Sequence, residues 1–345
     1  FGASYGSGRE VVEFVSSNGP TGGLYAIVTL VVTHSILLVL SFELARLYRA
    51  HDFVSFFRVL LRRGWFLYEI VILVGLVIAL SITTTVGGTV LEDHFGISAW
   101  IGSLMILALI VILNYYGRTI VEESMMLSVT ALFLVLVILV VQLVTGYADQ
   151  VSAAFADYKY EGGSLYKGLM YAIGGGGYLP LLLYCAIGLR TRREVVVAGI
   201  FAAAVAGIPA LIFHFAFMAG YPTIIEQRIP TYWMFDQIST PLMLNVYVVV
   251  MFVLVAQTGV GVLQGLIERL DVWHQQKRGG PLTRAGHGAV AGVAVIFSMS
   301  LGSMGIVSLI LRGYTIMFAS FIFVFVIPLL TYGVYLVYRG RPQTD

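Results

Sequence analysis

The sequence predicts an all-α integral membrane protein of ten transmembrane helices, built as a five-plus-five inverted repeat with broken helices one and six. Three observations predict it: a strongly apolar composition, a row of bilayer-length apolar stretches, and glycine runs at corresponding places in two halves of the chain. Of 345 residues, 59% are hydrophobic and only 11% are charged. The mean hydropathy is +0.92. A soluble domain carries roughly 25% charged residues. No single soluble core of this length buries so much apolar surface, so lipid must solvate much of it.

The elements follow in chain order. A hydrocarbon core of about 30 Å needs about 20 apolar residues per helix. Residues 1–15 read as the second half of a helix cut at its start; the chain opens at Phe1 inside an apolar stretch, and upstream residues are expected. Apolar stretches then run over 24–47, 65–90, 97–116, 124–146, 165–189, 195–219, 241–267, 285–307 and 311–338. The first repeat covers 1–146 and the second 147–345. Residues 49–63 mix Phe53, Phe56, Phe57, Leu60 and Leu61 with Arg58, Arg62 and Arg63, the composition of an interfacial amphipathic helix. Residues 220–240 carry Pro222, Pro230, Tyr232, Trp233 and Phe235, and fit either a short re-entrant cap or a surface loop with an aromatic belt.

Orientation follows from the basic residues. With 47–65 placed in the cytoplasm and every helix crossing, 15 of the 20 Lys and Arg fall on the cytoplasmic side. Only Arg9, Lys159, Lys167, Arg228 and Arg312 fall toward the other. Both termini are then cytoplasmic, and the chain is a multi-pass protein of a plasma or inner membrane.

Two places use more glycine than helix packing requires. The first is Gly2-Ala3-Ser4-Tyr5-Gly6-Ser7-Gly8, followed by Arg9, Glu10 and Glu13. The second is Gly174-Gly175-Gly176-Gly177, followed by Pro180. Each glycine inside a helix costs about 1 kcal/mol relative to alanine, and proline suits the first turn of a restarting helix. The reading is helix, unwound stretch, helix. Irregular backbone at membrane depth survives where it is buried in protein or lines a cavity, and paired breaks in two halves point to a transporter's substrate site. Gly6, Gly8 and Gly174 to Gly177 are therefore candidate substrate residues. Tyr5, Tyr171 and Tyr178 flank them, and Gln257 is a candidate lining residue. Close helix packing is the rival explanation for the glycines. His34 and His214 read as satisfied packing histidines. Glu43 and Glu69 read as salt-bridged anchors, and Asn114, Gln142 and Asn245 as interhelical hydrogen-bonders.

The run from Phe1 to Glu10, with Glu13-Phe14 after it, resembles the first-helix motif of the YkvI-like family of prokaryotic membrane proteins. That family belongs to the amino acid–polyamine–organocation superfamily, whose fold is that of the bacterial leucine transporter. The resemblance implies the inverted repeat with a substrate site at the two breaks. It also implies a sodium site: helix-one carbonyls at Gly2 and Tyr5, with Val255 and Thr258 on helix eight. Gly259 stands where that site's second hydroxyl belongs, so the coupling ion is sodium or a proton. No lysine within 124–146 replaces it. Related transporters close an outer gate with an arginine on helix one and an aspartate on helix ten. Here the charges are reversed, with Glu10 and Glu13 on helix one and Arg312 on helix ten.

The function so predicted is cation-coupled symport, or exchange, of an amino acid or similar small zwitterion or amine, with lipid and a small solute as partners. No cofactor is expected beyond the coupling ion. An ion channel would need a filter sequence or a ring of charges, and a sensor on the same fold would carry a signalling domain. An enzyme would show a nucleophile–base or metal constellation. HExxH does not occur, and the GxSxG spacing at Gly2-Ala3-Ser4-Tyr5-Gly6 falls in the first glycine run of an apolar helix, not on a strand-to-helix turn. One cysteine, Cys185, excludes an intrachain disulfide. Nucleic-acid binding has no basic, aromatic-interleaved run to support it. The oligomeric state is not legible.

Overall fold

The computed structural model describes residues 6–116, 118–157, 162–280 and 282–340, and among them there is no strand. Helix α1 is Arg9–Phe14, α2 Gly19–Tyr48, α3 Phe53–Leu61, α4 Trp65–Phe95, α5 Ala99–Tyr116, α6 Arg118–Gly146 and α7 Ala148–Asp157. Helix α8 is Ser164–Gly176, followed by a 3-10 helix over Leu179–Gly188. Then come α9 Arg192–Met218, α10 Pro230–Ile238, α11 Pro241–Arg278 and α12 Arg284–Gly302. Helix α13 spans Leu311–Arg339.

Each apolar stretch read from the sequence coincides with a helix among these. Among the described residues, six helices are long and apolar enough to cross a bilayer, or eight when each of two bent pairs counts as one span. Several features bear on this number. Arg9–Tyr48 runs the end of the first expected helix into the second, and the apolar helix Ala99–Asn114 is short. Residues 130–156 form one bent pair, turning by 77°. Helix α7, in that pair, was not foreseen.

Local chemistry accounts for several ends. Asp52 accepts the Ser55 N–H at 2.9 Å and caps α3, whose Phe56, Phe57 and Leu60 are buried as the amphipathic reading expected. Thr240 and Thr283 cap α11 and α12 in the same way. Helix α13 includes π-helical turns at Ile322–Val326 and Leu329–Gly333, which flank Pro328. Proline has no N–H for the carbonyl four residues back, and a wider turn is one accommodation.

The chain divides into two compact units that are interleaved in sequence. Unit one comprises Phe1–Glu13, Leu73–Asp157 and Phe215–Gly313; unit two comprises Phe14–Ile72, Tyr158–His214 and Tyr314–Asp345. In unit one, α4 and α5 cross glycine on glycine: a Cβ at Gly102 would stand 3.0 Å from Gly88 Cα. Gly259 of α11 faces the Ile110 side chain of α5 with no room for a methyl, and Asn114 donates to the Val260 carbonyl at 3.3 Å. In unit two, α8 lies on α2 where Gly168 leaves space for the Ala26 carbonyl. Beside them an aromatic core forms, with Tyr68 stacked on Phe57 at 3.8 Å and Phe325 edge-on at 6.0 Å. Ile70, Leu134, Phe201, Ile296 and Phe323 are among many exposed large apolar side chains. Surface of that kind belongs against lipid.

Candidate functional site

The first break lies in unit one. Helical residues 6 and 7 precede Gly8, which has φ of +69°, and α1 restarts at Arg9. That backbone region favours glycine. A Cβ on Gly8 would also stand 2.5 Å from Phe217 Cζ and 2.8 Å from Thr231 Cγ2. The broken turn is tied down by side chains from α10 and α11. Thr231 Oγ1 donates to the Gly6 carbonyl, Tyr247 Oη lies 2.6 Å from the same oxygen, and the two hydroxyls are 2.6 Å apart. Two hydroxyl protons thus serve three edges of one buried triangle. Arg9 is buried as well. It donates to the carbonyls of Ile225 and Gln227 at 2.8 and 2.9 Å and pairs with Glu13 at 3.0 Å. Glu10 is buried. Arg312 is exposed. Glu13 thus has the Arg9 guanidinium as one partner.

The second break lies in unit two. Helix α8 ends at Gly176, and the following 3-10 helix departs at 65°. The freed carbonyls find side-chain donors. Tyr68 Oη donates to the Gly177 carbonyl at 3.0 Å, and His34 Nε2 lies 2.9 Å from the Ala172 carbonyl. Pro180, four residues after Gly176, has no N–H to return to it. Packing explains part of the glycine run. Cβ atoms on Gly174 and Gly177 would overlap the rings of Phe318 and Phe321, and one on Gly176 would stand 2.8 Å from Leu37 Cδ1. Gly175 differs: it is exposed, with only the His34 ring 3.3 Å from a Cβ there. Tyr171 is buried and stacks on Phe14 at 5.3 Å. Tyr178 bonds Met317 Sδ at 3.1 Å and meets Phe321 edge-on.

The other expected residues fall as follows. Gly2 and Tyr5 lie outside the described residues. Val255 and Gln257 are buried on α11. Thr258 donates to the Leu254 carbonyl at 2.7 Å, which leaves its lone pairs available. Gly259 serves the contact with Ile110, a packing reason for the missing hydroxyl. His214 bridges Ser16 Oγ and the Pro20 carbonyl at 3.1 and 2.8 Å, and Glu43 pairs with Arg46 at 2.7 Å. Sequence reasoning missed Thr231 and Tyr247. Their only signal was position in or after a proline- and aromatic-rich connection.

No protein-family model and no curated sequence matches the chain. Among solved structures it is similar to the manganese transporter of Eremococcus coleocola. With the complex of that protein and an aromatic bis-isothiourea substituted compound it shares 15% identity and a TM-score of 0.54, over 95% of this chain and 78% of that one. With one point variant of the same transporter it shares 14% identity and a TM-score of 0.56, over 99% of this chain and 82% of the other. This likeness is one of fold. The chain is a multi-pass helical membrane protein with the fold of a membrane transporter.

Proposed function

We propose that the chain is a secondary active transporter, a cation-coupled symporter or exchanger for an amino acid or similar small zwitterion or amine. The proposal includes the ten-helix inverted repeat and kinship with the YkvI-like family. The single observation that carries it is the break at Gly176, where an apolar helix stops, bends by 65° and restarts within a stretch long enough to span a bilayer. Backbone of this kind offers carbonyl oxygens to an ammonium group. Gly175, exposed and without a side chain, is the residue at which a solute comes closest to main chain. Substrate contacts are assigned to both glycine runs, with alternating access as the mode of transport. The coupling ion is sodium or a proton, with Gly2, Tyr5, Val255 and Thr258 as the sodium ligands under the first choice.

The structural neighbour is named for manganese. Among the described residues of this chain, no three His, Cys, Asp or Glu side chains gather to hold a metal ion. Manganese also accepts carbonyl oxygens and water, so it is tested beside the organic solutes. The test is counterflow in proteoliposomes with a labelled panel of amino acids and amines, and with Mn2+ as a separate arm. Saturable counterflow of an organic solute is expected, and Gly175→Leu, inserted normally, should abolish it. Accumulation of Mn2+ with no counterflow of any amino acid or amine would overturn the reading.

A further inference from the structure

A second polar feature of unit one is not used by the glycine breaks. A cavity of about 230 Å³ opens among α4, α5 and α12, and hydroxyls line it: Thr85 and Thr89, Ser103, Ser298 and Ser303. Polar groups inside a membrane protein are costly unless they bond one another or a guest.

The direction of the hydroxyl protons decides which guest fits. Thr85 donates to the Ser81 carbonyl at 2.7 Å, Thr89 to the Thr85 carbonyl at 2.9 Å, and Ser303 to the Ser300 carbonyl at 2.7 Å. Their protons are committed to backbone, so lone pairs are what they can offer a guest. Ser298 is fully buried, and its Oγ has no hydrogen-bond partner. A buried orphan hydroxyl is uncommon and calls for an occupant. Gly302 makes room, since a Cβ there would stand 2.9 Å from Thr85 Oγ1.

Charge points the same way. Arg228 also lines the cavity, but its guanidinium is held by Glu92 at 2.8 Å and lies 3.8 Å from Asp93. Two carboxylates against one guanidinium leave this edge acidic. An anion would need donors, and the protons of Thr85, Thr89 and Ser303 are already given to backbone carbonyls. A divalent ion would seek carboxylate ligands directly, whereas neutral oxygens suit a hard monovalent cation.

We propose that this hydroxyl-lined cavity binds a sodium-class monovalent cation, through Thr85, Ser103 and Ser298. The site is separate from the helix-eight position of Thr258, and equilibrium binding there does not depend on whether the chain moves an organic solute.

The test is thermal unfolding of the purified full chain while sodium replaces choline at constant ionic strength. Sodium should raise the unfolding midpoint saturably. Ser298→Ala and Thr85→Val should each raise the half-saturating sodium concentration about tenfold, as loss of one oxygen contact to a charge implies. Thr145→Val, at an exposed hydroxyl that does not line the cavity, should leave it unchanged. Ser103→Ala gives the same reading if either of the first two variants misfolds. Absence of sodium-specific stabilisation in the unaltered protein would overturn the proposal. So would stabilisation lost in Thr258→Val but intact in the cavity variants.

Discussion

Arg9 shows how a residue that is exceptional in the sequence can have partners the sequence does not name. It stands among the five basic residues outside the cytoplasmic set. The structure buries it with two loop carbonyls and Glu13 as acceptors. Removing a buried charge leaves its partner uncompensated, which typically costs about 3–5 kcal/mol. Arg9→Ala should therefore lower the unfolding midpoint markedly, whereas Arg312→Glu should leave it nearly unchanged. Thermal unfolding of both variants checks this. A large loss in Arg312→Glu with none in Arg9→Ala would restore the reversed-charge gate in place of the Arg9 clamp.

At the scale of the element, the second break separates two uses of glycine that the sequence presents as one run. Gly177 has ordinary helical dihedrals, so its need is steric, and its missing Cβ is replaced by the Phe321 ring. Overpacking such a contact typically costs about 1–3 kcal/mol. Gly177→Ala should destabilise by that amount, and Gly175→Ala, at an exposed position, by less than about 0.5 kcal/mol. The two unfolding midpoints measure it. Equal effects would mean that packing does not distinguish the glycines. The restart also differs from expectation in kind. Residues 179–188 were read as continuing helix, and they form a 3-10 helix. Pro180 near its start fits the tighter turn, but propensity alone does not choose between the two forms.

For the whole molecule, the 15-to-5 asymmetry of basic residues predicts that each connection lies on a definite side of the bilayer. Thr191 and Gln237 are both exposed and lie on connections assigned to opposite faces. In a Cys185→Ser background, Thr191→Cys should resist a membrane-impermeant thiol reagent added outside intact cells, while Gln237→Cys should react. Reaction of both would refute the orientation.

Hydropathy, glycine and proline act locally, and what they control was legible. The helices at 24–47 through 311–338, the amphipathic α3 and the break after Gly174 all follow from residues within a turn or two of where they act. Even the histidines 34 and 214 were read as satisfied packing groups, because an unpaired imidazole in an apolar helix is costly. The chain by itself thus determined where most helices form and that several are long and apolar enough to cross a bilayer. What it left undecided depends on residues far apart in sequence. Thr231 and Tyr247 meet the Gly6 carbonyl across 225 and 241 residues. Six hydroxyl-bearing residues from α4, α5, α12 and the residue after it share one cavity, yet each looks ordinary on its own helix. Helix crossings set those meetings, and crossings depend on which ridges and small residues face each other. Only the tertiary structure could decide that, because hydropathy places a helix in the bilayer without fixing its rotation about its own axis.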